Sequence, residues 1–340
     1  MATLTDGGKP SVTVKTVAAR AGVSAQTVSR VLRGSGYVSQ QTREKVLAAV
    51  KAVGYRPNAV GRSLRATRTP MVGLLITDIT NPFYATLHKA IEAVFREHGL
   101  TLMLLNSDDD PQTERQQLDL LSSYRPSGLL VAPAVASSLT AEDIAAVGNC
   151  VLVSRTLPAL DAPSVVTNEP EAMREATEAL LRAGHRQIVA VLGPAAASTT
   201  ERREAGYRAA MAASGHEPLI YYTDQTAAGA RSTIKQARHR HPDITAAIGF
   251  NTPVTEGILA GLRDQDGHCP DDLSLVGFTD APWMEFHQPP ITVVRQPVEE
   301  MGALAAELVL DLIDDKPVAK TAHTVPSRLL HRQSIRSLSR

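Results

Sequence analysis

The chain has 340 residues, enough for two or three domains, and its 43% hydrophobic share permits a sizeable core, although with 4% aromatics Ala, Val and Leu must fill it. No run of about 18 apolar residues occurs and no apolar leader opens the chain, which argues against a membrane span or a secretory signal and makes the cytoplasm the expected location. The formal net charge of zero hides a split: residues 1–70 hold twelve Lys/Arg against Asp6 and Glu44 alone, so a basic head precedes an acidic body and a polyanion partner is expected for the head. Residues 1–11 are small and polar and read as a disordered tail. Thr13 can cap a helix from Val14, with Val14, Val17, Ala18 and Ala21 as its apolar stripe. Gly22 offers cheap positive φ for a tight turn. Ser24 caps a second helix, Ala25 to about Arg33, whose Val28, Val31 and Leu32 face inward. Gln26, Ser29, Arg30 and Arg33 share its other face, where Gln can pair with adenine and Arg with guanine. Ser39 caps a third helix with Val46, Leu47, Val50 and Val53 as the expected buried face. The head at 12–57 is thus an all-α helix-turn-helix, expected to bind double-stranded DNA.

Next, Pro57 stops the preceding structure and Asn58 can cap a short helix to Leu64 or Arg65. So short a helix is marginal alone, and Gly61 costs it about 1 kcal/mol relative to Ala. It is expected to fold against a partner such as DNA, with Leu64 as a wedge in the minor groove. Residues 58–70 are read as this hinge and a linker. From 71 the texture changes. Apolar strand-like runs at 71–77, 101–106, 128–132, 150–154, 188–193, 219–223, 245–250 and 273–278 alternate with helical stretches, among them 84–98, 112–124, 141–147, 171–183, 201–214, 229–240, 254–265 and 298–315. Such alternation implies parallel sheets wound by right-handed crossovers. This length of α/β chain fits two similar halves around a cleft better than one sheet. Cys150 and Cys269 are far apart and read as ordinary buried thiols. Gly34 and Gly36 begin a GxG that lacks its third glycine and follows a helix, so it is no dinucleotide fingerprint. His239, His241 and His268 have no convincing metal partners, Asp108–Asp110 reads as a solvated loop with a cap, and no P-loop or nucleophile elbow occurs. No cofactor or metal is expected, and no catalytic constellation supports an enzyme.

The stretches VTVKTVAARAGVSAQTVSRVL, VSQQTREKV, YRPNAVGRSL, NPFYATLHKAIE, GHRQIVAVLGP, REAGYRAAM, LSLVGFTD and PPITVVRQP together resemble the lactose/galactose-repressor (LacI/GalR) family, in order over about residues 12–335. The resemblance implies a homodimeric transcriptional regulator, most simply a repressor, on a pseudo-palindromic operator. It also implies a periplasmic-binding-protein-like sensor (71–335, with 336–340 as a tail) of two parallel-sheet subdomains, about 71–167 plus 296–325, and 168–295 plus the C-terminal segment. By matching positions Thr13, Ser24, Thr27 and Asn58 would touch phosphates and Ala25, Gln26, Ser29 and Arg30 would face bases. Lys15, Arg33, Ala59 and Leu64 complete the set. Gly61 stands where the family usually has Ala, which could weaken the hinge helix.

The resemblance places a small-molecule effector between the sensor's halves, against Asp78, Phe83, Tyr84, Arg155, Ala197, Thr199, Arg203, Gln225, Asn251 and Thr279. Ser154, Thr167, Thr252 and Thr279 stand where family members often carry Asp, and Gln225 replaces a frequent aromatic. With fewer acids to balance Arg155 and Arg203, an anionic or non-sugar effector is expected, the alternative being a common sugar held by different contacts. The chain ends HRQSIRSLSR, with no leucine-heptad tail, which favours a dimer. A transporter's solute-binding protein would share such a body, but the basic head and missing leader argue against it.

Overall fold

The computed structural model describes residues 12–33, 36–55, 68–319 and 321–338. It divides into two compact units, residues 1–67 and 68–340. In the first, α1 (Val14–Ala21), α2 (Ala25–Arg33) and α3 (Gln40–Val53) form a three-helix unit. Its starts and stops are local chemistry. The Thr13 side chain accepts from Thr16 N, Ser24 Oγ accepts from Thr27 N at 3.1 Å, and Ser39 accepts from Thr42 N. Gly22 ends α1 at φ 67°, a left-handed conformation that glycine adopts without steric cost. Val17, Ala18, Val28, Val31, Val46 and Ala49 make the core. Leu47 does not join it. The buried stripe of α3 runs through Val46 and Ala49, so Leu47, one residue and about 100° further round, is 50% exposed.

The second unit contains two six-stranded sheets. In chain order its elements are β1 (Met71–Ile76), α4 (Pro82–Glu97), β2 (Thr101–Asn106), α5 (Pro111–Ser123), β3 (Gly128–Val131), α6 (Ala141–Val147), β4 (Cys150–Val153) and β5 (Ser164–Thr167). There follow α7 (Glu169–Arg182), β6 (Ile188–Leu192), α8 (Ser198–Ala213), β7 (Leu219–Tyr222), α9 (Ala227–Arg240), β8 (Ala246–Gly249), α10 (Thr252–Arg263), β9 (Ser274–Phe278), α11 (Pro282–Phe286) and β10 (Thr292–Arg295). The unit closes with α12 (Val298–Ile313), β11 (Ala322–Val325) and β12 (Arg328–Leu330). The first sheet runs β11-β5-β4-β3-β1-β2 and the second β12-β10-β9-β8-β6-β7. All neighbours are parallel except β10 with β12. In each sheet the first strand lies between its second and third, so both reverse order at the same place, where α/β sheets leave a crevice beyond their carboxyl ends.

Strands covered by helices on both faces must be apolar throughout, and β4, β6 and β8 are buried at every residue. Sequence periodicity misses β5, β10, β11, β12 and α11. These are three to five residues long, too short for a period to show. The chain passes between the sheets after β5, after β10 and between β11 and β12. Two passages are tied together where Ser327 N donates to Asn168 Oδ1 at 2.7 Å.

On α8, against the second sheet, Tyr207 is fully buried, its hydroxyl donating to Ile188 O (2.6 Å) and accepting from Leu219 N (2.9 Å). Tyr207→Phe strips both backbone groups of this partner and is expected to destabilise the fold by about 1–3 kcal/mol, measured by urea denaturation.

Candidate functional site

The head presents one exposed polar face. Ala25, Gln26 and Arg30 of α2 are exposed, and Thr27 and Ser29 are partly so, opposite the buried Val28 and Val31. Thr13 and Lys15 at the start of α1, and Ser24 before α2, are exposed too. Arg33 closes α2. Asn58, Ala59 and Leu64, with the hinge they belong to, lie outside the described residues, as does the tail at 1–11. The first turns of α1, α2 and α3 carry no acid, which suits helix N-termini that are to meet an anion.

In the second unit a cavity of about 320 Å³ lies between the two sheets. Its lining comes from the carboxyl ends of strands in both: Thr77 after β1, Asp108 and Asp109 after β2, Ser154 and Arg155 after β4, then Asp224–Thr226 after β7, Phe250 and Asn251 after β8, Thr279 after β9 and Gln296 after β10. Asp78, Phe83, Tyr84, Thr199 and Arg203 complete much of the wall. Of the residues singled out from sequence, Ala197 is not among them. It sits just before α8 and lines a separate depression with Pro133, Leu157 and Arg202.

Each wall group is held by chemistry that its sequence explains. Asn81 caps α4 by accepting from Phe83 N at 3.1 Å, with Pro82 in the first turn, and this seats Phe83 and Tyr84. Their rings meet edge to face, centroids 5.1 Å apart, and Thr77 Oγ1 donates to the Tyr84 hydroxyl at 2.9 Å. Burial raises the Tyr84 pKa. Asn251 caps α10 through Val254 N at 2.9 Å, which takes one lone pair of its side-chain oxygen. Asp224 Oδ1 accepts from Thr226 N and Oγ1; burial opposes ionisation, but these bonds hold the carboxyl below its ordinary value. Thr279 Oγ1 donates to Gln296 Oε1 at 2.5 Å, and Gln296 Nε2 reaches Thr167 Oγ1 at 3.4 Å, beside the passage between sheets.

Each of the two arginines is paired with an acid. Arg155 makes a bidentate pair with Asp109 (2.5 and 3.1 Å) and donates to Pro133 O at 3.0 Å. Arg203 pairs with Glu169 at 2.7 Å, donates to Phe250 O, and its guanidinium lies 4.3 and 3.9 Å from the ring centroids of Phe250 and Phe278. Burial pulls the Arg203 pKa down against the attraction of Glu169. Beyond Asp109, the wall carries Asp78, Asp108 and Asp224. The expectation that Arg155 and Arg203 lack acids to balance them is therefore corrected: Asp109 and Glu169 stand beside them, and the wall carries more carboxylates than guanidinium groups. The reading of Asp108–Asp110 as a plain solvated loop is corrected with it. Asp110 does cap α5, but Asp108 and Asp109 reach the cavity. Gln296, Phe250, Thr77 and Thr226 were also missed. A signal existed, since each directly follows a strand or sits within a few residues of one.

Among the described residues no group of three His, Cys, Asp or Glu side chains could hold a metal ion. No helix of theirs is long and apolar enough to cross a membrane.

Comparison with known proteins agrees with this division. Residues 13–58 match the model for bacterial regulatory proteins of the lacI family. Residues 69–333 match that for periplasmic binding proteins and the sugar-binding domain of the LacI family. The chain is 30% identical over 322 residues to the ribose operon repressor of Halalkalibacterium halodurans, covering 95% of this chain and 96% of that one. It is 31% identical over 327 residues to the HTH-type transcriptional regulator GalR of Escherichia coli, covering 95% of each. A solved complex of the transcriptional regulator CelR with cellobiose superposes with a TM-score of 0.70 at 30% identity, covering 95% of this chain and 99% of that one.

Near the Arg155–Asp109 pair the buried Glu114 carboxylate accepts from Ala134 N (2.7 Å) and Ser137 Oγ. Burial pushes its carboxyl above the ordinary value of about 4.5, the two hydrogen bonds opposing. The native state then keeps this proton to higher pH than the unfolded chain does. Its contribution to stability accordingly falls as pH rises through the unfolded and then the folded value. Between pH 4 and 7 the wild type is expected to lose stability relative to Glu114→Gln, read as the difference in urea midpoints.

Proposed function

The chain belongs to the lacI family of bacterial regulatory proteins, and from that we propose that it is a repressor whose operator affinity is set by a neutral, polyhydroxylated effector in the cleft of its sensor. The observation that carries this reading is the joining, in one chain, of an acid-poor helical face to a two-lobed cavity. The face bears Gln26, Ser29 and Arg30, and the cavity is lined by hydroxyl, carboxamide and carboxylate groups. Gln26 and Arg30 would read base edges in the major groove, with Ala25 and Ser29 beside them. Thr13, Lys15, Ser24 and Thr27 would hold phosphates, and Arg33, Asn58, Ala59 and Leu64 would complete the contact set, Leu64 in the minor groove.

On the effector, the chemistry and the relatives point the same way. Asp78, Asp109 and Asp224 can accept from sugar hydroxyls, while Thr199, Gln296 and the arginines supply donors. A cavity of about 320 Å³ is at the small end for ligand sites, which suits a monosaccharide. A ribose operon repressor and a cellobiose-bound regulator among the relatives fit a sugar. The protein would act as a homodimer on a pseudo-palindromic operator, in the cytoplasm where the nucleoid lies. Binding of the effector changes how the two sheet-bearing halves meet. The resulting shift in DNA affinity is bounded by the effector's differential affinity for the two arrangements.

A gel-shift titration on DNA from the gene's own upstream region is expected to show salt-dependent binding, and its absence on every fragment would overturn the reading. Arg30→Ala is expected to cost about 1–3 kcal/mol on the preferred site and relax the base preference there. Lys15→Ala should weaken all sequences alike and lower the salt slope by about 1. In a thermal-shift screen neutral sugars are expected to stabilise the protein and sugar phosphates are not.

A further inference from the structure

We propose that Gln225 is a built-in competitor of the effector: its carboxamide takes the last acceptor position of Asp109 and latches the two halves of the sensor together at the mouth of the cleft. The inference rests on the reading of that cleft as the site of a neutral polyhydroxylated ligand.

An ionised carboxylate offers roughly four lone-pair sites. On Asp109 three are used within its own half. Oδ1 accepts from Arg155 Nη1 (2.5 Å) and Val135 N (2.8 Å), and Oδ2 accepts from Arg155 Nη2 (3.1 Å). The fourth accepts from Gln225 Nε2 at 3.0 Å, and Arg155 Nη2 lies 3.5 Å from Gln225 Oε1. A ligand hydroxyl can therefore donate to Asp109 only by displacing the amide. The amide's adjacent donor and acceptor are also the pattern that a vicinal diol presents, so the molecule that displaces it best is one with neighbouring hydroxyls.

Position makes the contact effective. Asp109 follows β2 and Gln225 follows β7, the terminal strands of the two sheets on the side away from the chain passages at β5, β10, β11 and β12. A bond there acts on those passages with a long lever arm. Both residues hold positive φ, 58° for Asp109 and 69° for Gln225, a conformation that persists only where surrounding structure imposes it. Around Gln225 that structure is the turn in which Asp224 accepts from Thr226. Other bonds also cross the cleft, such as Arg202 Nη2 to Ser154 O at 3.0 Å, so the latch governs the mouth rather than the whole closure.

The test is Gln225→Asn in the full chain. Asparagine keeps the amide and tolerates positive φ but is one methylene too short to reach Asp109. Titration calorimetry with ribose, xylose, glucose, galactose and cellobiose first identifies the sugar that the wild type binds. The variant is then expected to bind it about tenfold tighter, the effect of removing a competing hydrogen bond to a charged group. Without sugar, hydrogen exchange over 106–110 and 223–229 is expected to quicken. Gln225→Gly, which also relieves the backbone, should behave alike. Unchanged or weaker binding together with unchanged exchange overturns the latch. If the wild type binds none of these sugars, the effector reading fails on its own. The exchange measurement then decides the latch: quickened exchange upholds it and unchanged exchange overturns it.

Discussion

The buried carboxylate of Glu169 is the interaction on which the sensor's geometry turns. It is 1% exposed, and a charge so placed is tolerable only when paired and hydrogen-bonded. Both requirements are met from α8: Arg203 at 2.7 Å and Arg202 at 2.6 Å. Glu169 opens α7 directly after the chain's first passage between sheets, so the ion pairs fix that passage to α8. Arg203 carries the constraint to the cavity wall, stacked on Phe250 and Phe278. Arg202 carries it to the other half, through Ser154 O and Thr156 Oγ1. The pairing demands that α7 and α8 lie close, and Gly206 permits it: a Cβ there would fall 2.1 Å from Pro170 O.

With its arginines answered by acids, the cavity works as an array of directed dipoles and carboxylates rather than a cation site. That favours a ligand rich in hydroxyls, each able to donate to one wall group and accept from another. Strain is concentrated in the same place. Asp108, Asp109, Ser154, Gln225 and Thr279 all have φ between 52° and 75°, and all line the cavity. Threonine is a poor residue for that region, so Thr279 must be held there, and its bond to Gln296 is one of the contacts that hold it. The wall is thus shaped by loops that only the packed strands behind them can keep in place.

Reading from sequence succeeds where the cause is local. Thr13, Gly22, Ser24 and Ser39 mark the ends of the head's helices because capping acts over three or four residues. The alternation of strands and helices was visible for the same reason. Leu47 was misjudged because a residue at the edge of an apolar stripe is buried or not according to what the neighbouring helices cover. The short strands β5, β10, β11 and β12 owe their existence to pairing with neighbours distant in sequence.

By itself the sequence determined the family, the basic helical head with its Gln26 and Arg30 face, the α/β body, and about half of the cavity's wall through motifs such as NPFY and REAGY. Only the tertiary structure decided the charge of the cavity. Asp109 and Arg155 are 46 residues apart and Asp109 and Gln225 are 116 apart. The balance of an electrostatic site is a sum over groups within a few ångströms in space, and spacing along the chain does not contain it.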